Sequence, residues 1–201
     1  VSSSGGMPPG FTILMVCTGN ICRSALAERL GRAYLDEIMG AAAADIGLVS
    51  AGTRAVVGSA MHPDSALVLA GFGAEPGDFR AQQLTERLPA RADLILTMTR
   101  SHRRDVLAMA PRGLARTFTL REAAALLDDV PRAADLAGES AAERAESLVA
   151  ALASARSRRQ GGGDEDDIQD PIRQPLDVHQ EVGEAITEAL LPLLRRLADL
   201  R

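Results

Sequence analysis

An α/β fold, a four-stranded parallel sheet with helices on both faces in a single domain, follows from three observations. Short apolar, β-prone runs alternate along the chain with segments of helical period. Such short hydrophobic strands with helices between them are the pattern of a sheet covered on both faces. The 201 residues, 46% hydrophobic and 24% charged, suffice for one core of ordinary size.

Each element has its own signal. Phe11–Val16 (FTILMV) reads as the first strand and stops at Cys17, Thr18, Gly19 and Asn20. From Arg23 to Met39 the period turns helical, with Leu26, Leu30, Ala33 and Tyr34 on one face. Ile46–Ser50 fits a second strand, closed by Ala51-Gly52-Thr53. Pro63–Gly71 fits a helix with proline at its start and glycine at its end. Asp93–Met98 is a third strand, Ser101–Met109 a helix, and Ala115–Leu120 a fourth strand. The last segment, Asp177–Leu200, carries Val178, Val182, Ile186, Leu190, Leu193, Leu194 and Leu197 at helical spacing and is expected to pack on the sheet, adjusted at Pro192.

Between these elements, residues 128–167 read as an insertion in a domain spanning 11–201. Ala141–Ala155 has helical composition. The RSRRQGGGDEDD run that follows reads as a flexible loop whose charges are solvated surface. Val1–Gly10 lacks the basic start and apolar run of a secretory signal and reads as a flexible tail or tag remnant. The cytoplasm is the expected location.

Composition narrows the function. A net charge of −5 and a 2% aromatic content argue against a nucleic-acid partner. No stretch approaches the ~20 apolar residues of a membrane span, so no membrane partner is expected. All 22 basic residues are arginine, which excludes a lysine Schiff base and a Walker-type lysine. The two cysteines, Cys17 and Cys22, lie in one short segment and staple nothing distant together, so their reading is chemical. His62, His102 and His179 look isolated; surface placement is expected, with no metal or catalytic role. No cofactor is expected.

The chemistry concentrates in Val16-Cys17-Thr18-Gly19-Asn20-Ile21-Cys22-Arg23-Ser24. This is a strand, a tight loop and a helix start. Backbone N–H groups in such a loop converge on an anion, and the helix dipole adds positive potential. Gly19 and Asn20 are residue types that tolerate left-handed backbone. A thiol at a helix N-terminus beside a guanidinium is in the setting that favours thiolate. Arg23 offers a planar fork to two phosphate oxygens. Ser24 can donate to the sulfur and ease its departure. Nucleophile, anion cradle and clamp together suggest phosphoryl transfer through a cysteinyl-phosphate.

The run CTGNICRS resembles the active-site loop of the low-molecular-weight protein tyrosine phosphatases, a family that includes thiol-dependent arsenate reductases. Ser50-Ala51-Gly52-Thr53, Ala92–Met98 and Asp170-Pro171 agree with it. The resemblance covers most of residues 11–200 and implies a four-stranded parallel sheet with flanking helices. It implies Cys17 as nucleophile, Arg23 as transition-state clamp and the backbone of Thr18, Gly19, Asn20, Ile21, Cys22 and Arg23 as phosphate cradle. Asn20 and Ser50 match loop-shaping partners, and Ser24 supports the loop. Asp170 matches the general acid that protonates the leaving oxygen and later activates water, so residues 128–170 must fold back over the strand ends. Taken alone, Asp170 reads equally as a turn initiator before Pro171. Cys22 either fills space or, as the resemblance implies, attacks an oxidised Cys17 to form a protective disulfide.

Three differences set the chain apart from the family pattern. Ala25 replaces a proline, Ile172 and Arg173 replace an aromatic after Asp170-Pro171, and Arg54, Ala55, Val56 and Val57 stand where the opposite wall often carries an aromatic. Ile21 matches tyrosine phosphatases rather than arginine-phosphate relatives. The function expected is a metal-independent phosphomonoester hydrolase, a protein tyrosine phosphatase acting on a phosphorylated protein or small phosphoester. The alternatives are an arsenate reductase of the same fold and a non-catalytic phospho-ligand-binding module.

Overall fold

The computed structural model describes residues 10–132, 135–159 and 162–200. The expected tail at 1–10 therefore lies outside the described residues, apart from Gly10. Four parallel strands, β1 (Phe11–Cys17), β2 (Ile46–Gly52), β3 (Leu94–Thr97) and β4 (Thr117–Thr119), form one sheet in the order β2-β1-β3-β4. β1 is central. Cys17 pairs with Gly52 on one side, and Val16 with Thr97 on the other.

Alternate residues of β1 feed two cores. Phe11, Ile13, Met15 and Cys17 join the larger cluster. Leu14 and Val16 join a smaller one with Ala51, Ile95 and Val106. That two-residue period, apolar on both faces, is why the strand reads as a continuous hydrophobic run. Helix α1 (Arg23–Met39) packs against β2 and α7 (Leu176–Ala198), and α2 (Pro63–Gly71) also packs on α7. The short α3 (Arg87–Arg91) and α4 (Arg100–Met109) lie along the smaller core.

The chain winds from β1 to β2, then crosses back to place β3 on the other side of β1. Connections therefore diverge between β1 and β3 at their carboxyl ends, where open α/β sheets leave a crevice for a ligand.

α1 and α2 have the expected boundaries. The fourth strand is shorter than Ala115–Leu120, because Thr119 caps a helix: its hydroxyl accepts from Glu122 N, and the Glu122 carboxylate accepts from Thr119 N. This capping box starts α5 (Leu120–Ala125). A second capping box, Ser140 with Glu143, starts α6, which runs Ala141–Arg158. Arg156 on α6 donates to the carbonyls of Thr117 and Leu114 and lies 4.5 Å over the Phe118 ring. α6 thus covers the β4 edge of the sheet. α7 continues through Pro192 and buries His179 in its first turns, where Val178 was expected.

The RSRRQGGGDEDD run departs from the flexible, solvated loop expected of it. Arg156 and Arg158 extend α6, Arg159 pairs with the buried Asp166 at 2.8 Å, and Asp164–Asp166 form a short 3-10 turn. Arg100 pairs with Asp164 and, at 3.1 Å, with Asp167. Arg156, Arg159, Asp166 and Asp167 are thus held by partners, while Arg158, Asp164 and Glu165 are exposed. Gln160 and Gly161 lie outside the described residues.

Candidate active site

Cys17 ends β1 and Arg23 begins α1, so the loop between them sits at the carboxyl edge of the sheet. It is laced to the segment after β2 by four backbone bonds: Thr53 N to Cys17 O, Arg54 N to Thr18 O, Val56 N to Gly19 O and His62 N to Ile21 O, all 2.7–3.0 Å. Gly52 permits this approach, since a Cβ there would meet the Thr18 carbonyl oxygen at 2.4 Å. Within the loop, Asn20 alone takes the left-handed conformation, at φ 55°. Of the two residue types that tolerate it, Gly19 is not left-handed.

A chain of side-chain hydrogen bonds fixes the loop from beneath. Asn20 Oδ1 accepts from Gln82 N at 2.8 Å, which orients the amide. Its Nδ2 donates to Ser50 Oγ at 2.8 Å and to Ser24 Oγ at 2.9 Å. Ser50 then donates to Glu28 Oε2 at 2.6 Å. Ser24, whose oxygen already accepts from Asn20, has its hydrogen free for Cys17 Sγ, 2.9 Å away. Asn20 N also donates to that sulfur, at 3.3 Å. Both contacts hold the sulfur at the floor of the loop. Burial pushes the Glu28 carboxyl above its ordinary range, against the Ser50 hydrogen bond and the charge of Arg29.

Arg23 is buried, and three contacts orient its guanidinium. One terminal nitrogen donates to the Ile168 carbonyl at 3.0 Å. The other lies 2.6 Å from Asp170 Oδ2 and 3.5 Å from Thr18 Oγ1. Nε is buried without a hydrogen-bond partner among the described residues. A buried guanidinium N–H left bare is costly, and an anionic oxygen in the pocket would satisfy it.

Asp170 is brought over the loop by the end of the insertion. Ile168 N donates to Met98 O at 2.8 Å, beyond the end of β3. Asp167 accepts from Arg100 N at 2.7 Å and from the Arg100 guanidinium. Asp170 also accepts from Ile172 N at 3.3 Å, so it initiates the turn before Pro171 and reaches Arg23 with its other oxygen. The contact with Ile172 N is the one expected of a turn initiator.

These parts enclose a cleft of about 220 Å³. Cys17, Thr18, Gly19, Ile21, Cys22 and Arg23 form its floor, with Arg54, Val56, Asp170 and Ile172 as its walls. Every residue expected in the phosphate cradle except Asn20 lines it. Asn20 is fully buried beneath and shapes the loop. The walls hold no aromatic ring.

The histidines contradict the surface placement expected of them. His102 and His179 are buried, and His62 is half-buried. His102 Nδ1 meets Thr99 Oγ1 at 2.8 Å, and Nε2 meets Thr18 Oγ1 at 2.8 Å. The Thr99 oxygen already accepts from His102 N, so its hydrogen is available to Nδ1. A neutral ring protonated on Nε2 satisfies both contacts. Burial, then the charge of Arg23, lowers its pKa to about 4. Thr-x-x-His immediately after a strand was the available signal, a helix-capping threonine with a histidine in its first turn. Gln82 and Glu28, also unforeseen, carry no comparable local signature.

The model of the low molecular weight phosphotyrosine protein phosphatase family matches residues 12–131. A probable low molecular weight protein-tyrosine-phosphatase, EpsP of Ralstonia solanacearum, is 40% identical over 111 residues, 55% of this chain and 71% of that protein. Among solved structures, the low molecular weight protein tyrosine phosphatase of T. tengcongensis is 26% identical with a TM-score of 0.65, covering 92% of this chain and 98% of its own. The YwlE arginine phosphatase of Geobacillus stearothermophilus is 26% identical with a TM-score of 0.62, covering 94% and 90%. The family match stops short of Asp170, beyond the α6 insertion, while both structural matches extend over most of the chain. With the sheet order, the cysteine-to-arginine loop and these matches in agreement, the chain belongs to the low molecular weight phosphotyrosine protein phosphatase family.

Proposed function

We propose that this protein hydrolyses phosphomonoesters, with phosphotyrosine in proteins as its substrate class, through a cysteinyl-phosphate on Cys17. The observation that carries the reading is the convergence of the Cys17 sulfur, the Arg23 guanidinium and the Asp170 carboxyl on one cleft.

Cys17 attacks phosphorus, an S–P bond forms and the P–O bond to the leaving group breaks. Asp170 gives its proton to the departing oxygen. Loop N–H groups and Arg23 hold the equatorial oxygens, so the charge of the transferring group is met by donors fixed beforehand. In the second step water attacks phosphorus, Asp170 takes the water's proton, and the S–P bond breaks to restore the thiolate. Ser24 holds the sulfur in both steps. The donor set supplies the charge stabilisation that other phosphatases draw from metal ions.

Specificity is argued from the walls. Ile21, Val56 and Ile172 offer apolar contact, with Val56 and Ile172 partly exposed at the rim. A flat aryl group gains from that contact, without ring–ring pairing. Arg54 at the rim favours anionic peptides and opposes the positive guanidinium portion of a phosphoarginine. This, with Ile21, supports phosphotyrosine over phosphoarginine. An arsenate reductase relay would need a thiol outside the loop; both cysteines of the chain lie within it.

The test is a turnover screen over phosphotyrosine, phosphoarginine and phosphoserine peptides beside a Cys17→Ser control. Phosphotyrosine should be preferred and the control silent. Preferred release from phosphoarginine would overturn the substrate assignment, and an active control would overturn the mechanism.

A further inference from the structure

One cluster joins the Cys22 side chain, at the edge of the cleft, to groups that the phosphoryl chemistry does not use. Cys22 precedes α1, His62 caps α2 and His179 lies in the first turns of α7, so three helix starts meet at one point. One ligand atom from each lies within 4.8 Å of the others. The His62 and His179 rings stack at 4.9 Å with 17° between their planes. Asp64 Oδ2 lies 3.9 Å from both His62 Nδ1 and His179 Nε2.

His179 is hard to explain as packing. Its side chain is wholly buried, Nδ1 meets Ser65 Oγ at 3.0 Å, and Nε2 has no hydrogen-bond partner among the described residues. Its other polar neighbours are the Asp64 carboxylate and the Pro171 backbone. A buried ring nitrogen without a hydrogen-bond partner calls for one, and a metal ion would supply it.

We propose that Cys22, His62 and His179 bind one divalent transition-metal ion of the zinc type, with Asp64 completing the tetrahedron. One sulfur, two imidazoles and a carboxylate suit zinc or cobalt and not the hard cations. Ligand atoms around tetrahedral zinc stand about 3.3–3.6 Å apart, so binding draws the three ligand atoms together and turns one imidazole out of the stacked pair. Binding places a sulfur lone pair on the ion and releases the Cys22 proton to solvent, with no change of oxidation state. Burial pushes the free thiol up to about 11, so the metal must displace that proton. The partly exposed edges of His62 and Asp64 provide entry. An ion here would tie three helix starts together and hold Cys22 as a bound thiolate, withdrawn from exchange with Cys17.

The readout is metal binding, so its failure would leave the phosphatase reading intact. Chelator-treated protein, in phosphate-free buffer with a thiol-free reductant, is titrated with Co2+ and followed by absorption. One equivalent should bind with a sulfur-to-cobalt charge-transfer band, and Zn2+ should displace it. The band should persist in Cys17→Ser and vanish in Cys22→Ser. His62→Ala, at a half-buried position that spares the core, should weaken binding by at least ~10-fold, with folding checked by circular dichroism. No charge-transfer band in the wild type, a band that follows Cys17 instead of Cys22, or undiminished affinity in folded His62→Ala would each overturn the site.

Discussion

Asp170 Oδ2 lies 2.6 Å from a terminal nitrogen of Arg23, so the carboxyl above the cleft and the guanidinium at its floor are in direct contact. Phosphate and Asp170 therefore compete for the same fork. Asp170 is 40% exposed at its side chain, while Ile168 O holds the other arm of the guanidinium.

Removing that carboxyl should affect leaving groups unequally. Asp170→Asn should lower kcat by about 10²–10⁴ on alkyl or phenyl phosphates, the range of general acid catalysis. Aryl phosphates with electron-poor rings should lose far less, because their phenoxides leave unprotonated. A leaving-group series under steady-state conditions checks this; equal losses across the series would argue for a positioning role alone.

The hydrogen-bond chain beneath the loop predicts that shape and donor count separate at Asn20. Asn20→Asp keeps an acceptor for Gln82 N and tolerates positive φ, yet cannot donate to Ser24 and Ser50. It should cost about 1–3 kcal/mol of stability, as unsatisfied buried groups do. It should also lower kcat/KM more than it raises the dissociation constant of inorganic phosphate, since the damage falls on the sulfur through Ser24. Urea unfolding and phosphate titration measure the two effects.

Gly52 should be intolerant of any side chain. Its added Cβ meets the Thr18 carbonyl at 2.4 Å and Ala55 at 3.0 Å, both backbone-anchored. Gly52→Ala should cost about 1–3 kcal/mol, as overpacking does, and should displace the loop enough to depress turnover. Thermal melts paired with aryl phosphate hydrolysis would show both losses together.

His102 gives a pH-dependent prediction with a definite sign. Its folded pKa is about 4, below the ordinary 6.5 expected on unfolding. Between those values the unfolded chain binds a proton that the folded chain does not. The stability this group contributes is thus complete above pH 6.5 and falls as the pH drops towards 4, by up to about 3 kcal/mol. Unfolding free energies at pH 5 and 7 should differ more in the wild type than in His102→Gln. An identical difference would show that the ring is not held neutral.

What the sequence disclosed and withheld divides along physical lines. Period and punctuation place α1 and α2 because Pro63, Gly71 and the apolar spacing are local signals. They overextend β4, since the Thr119–Glu122 capping box competes with strand continuation at the same residues. The acidic run after α6 looks solvated in sequence because Arg100, which takes two of its carboxylates, is more than 60 residues away. Histidine on an apolar helix face reads as surface until its neighbours are known, and those of His179 come from residues 62–65. Cys17 and Arg23 announce themselves through spacing. Asp170 needed the resemblance, and Glu28 and Gln82 emerge only from tertiary contacts.

The central claim is that phosphate passes through the Cys17 sulfur. Rapid acid quench of the enzyme during turnover of an aryl phosphate, followed by peptide mass spectrometry, tests it most directly. The account predicts phosphate on the peptide bearing Cys17, absent from Cys17→Ser, which should also lose at least ~10³-fold in turnover. Phosphate found on another residue, or hydrolysis that continues in Cys17→Ser at the wild-type rate, would contradict it.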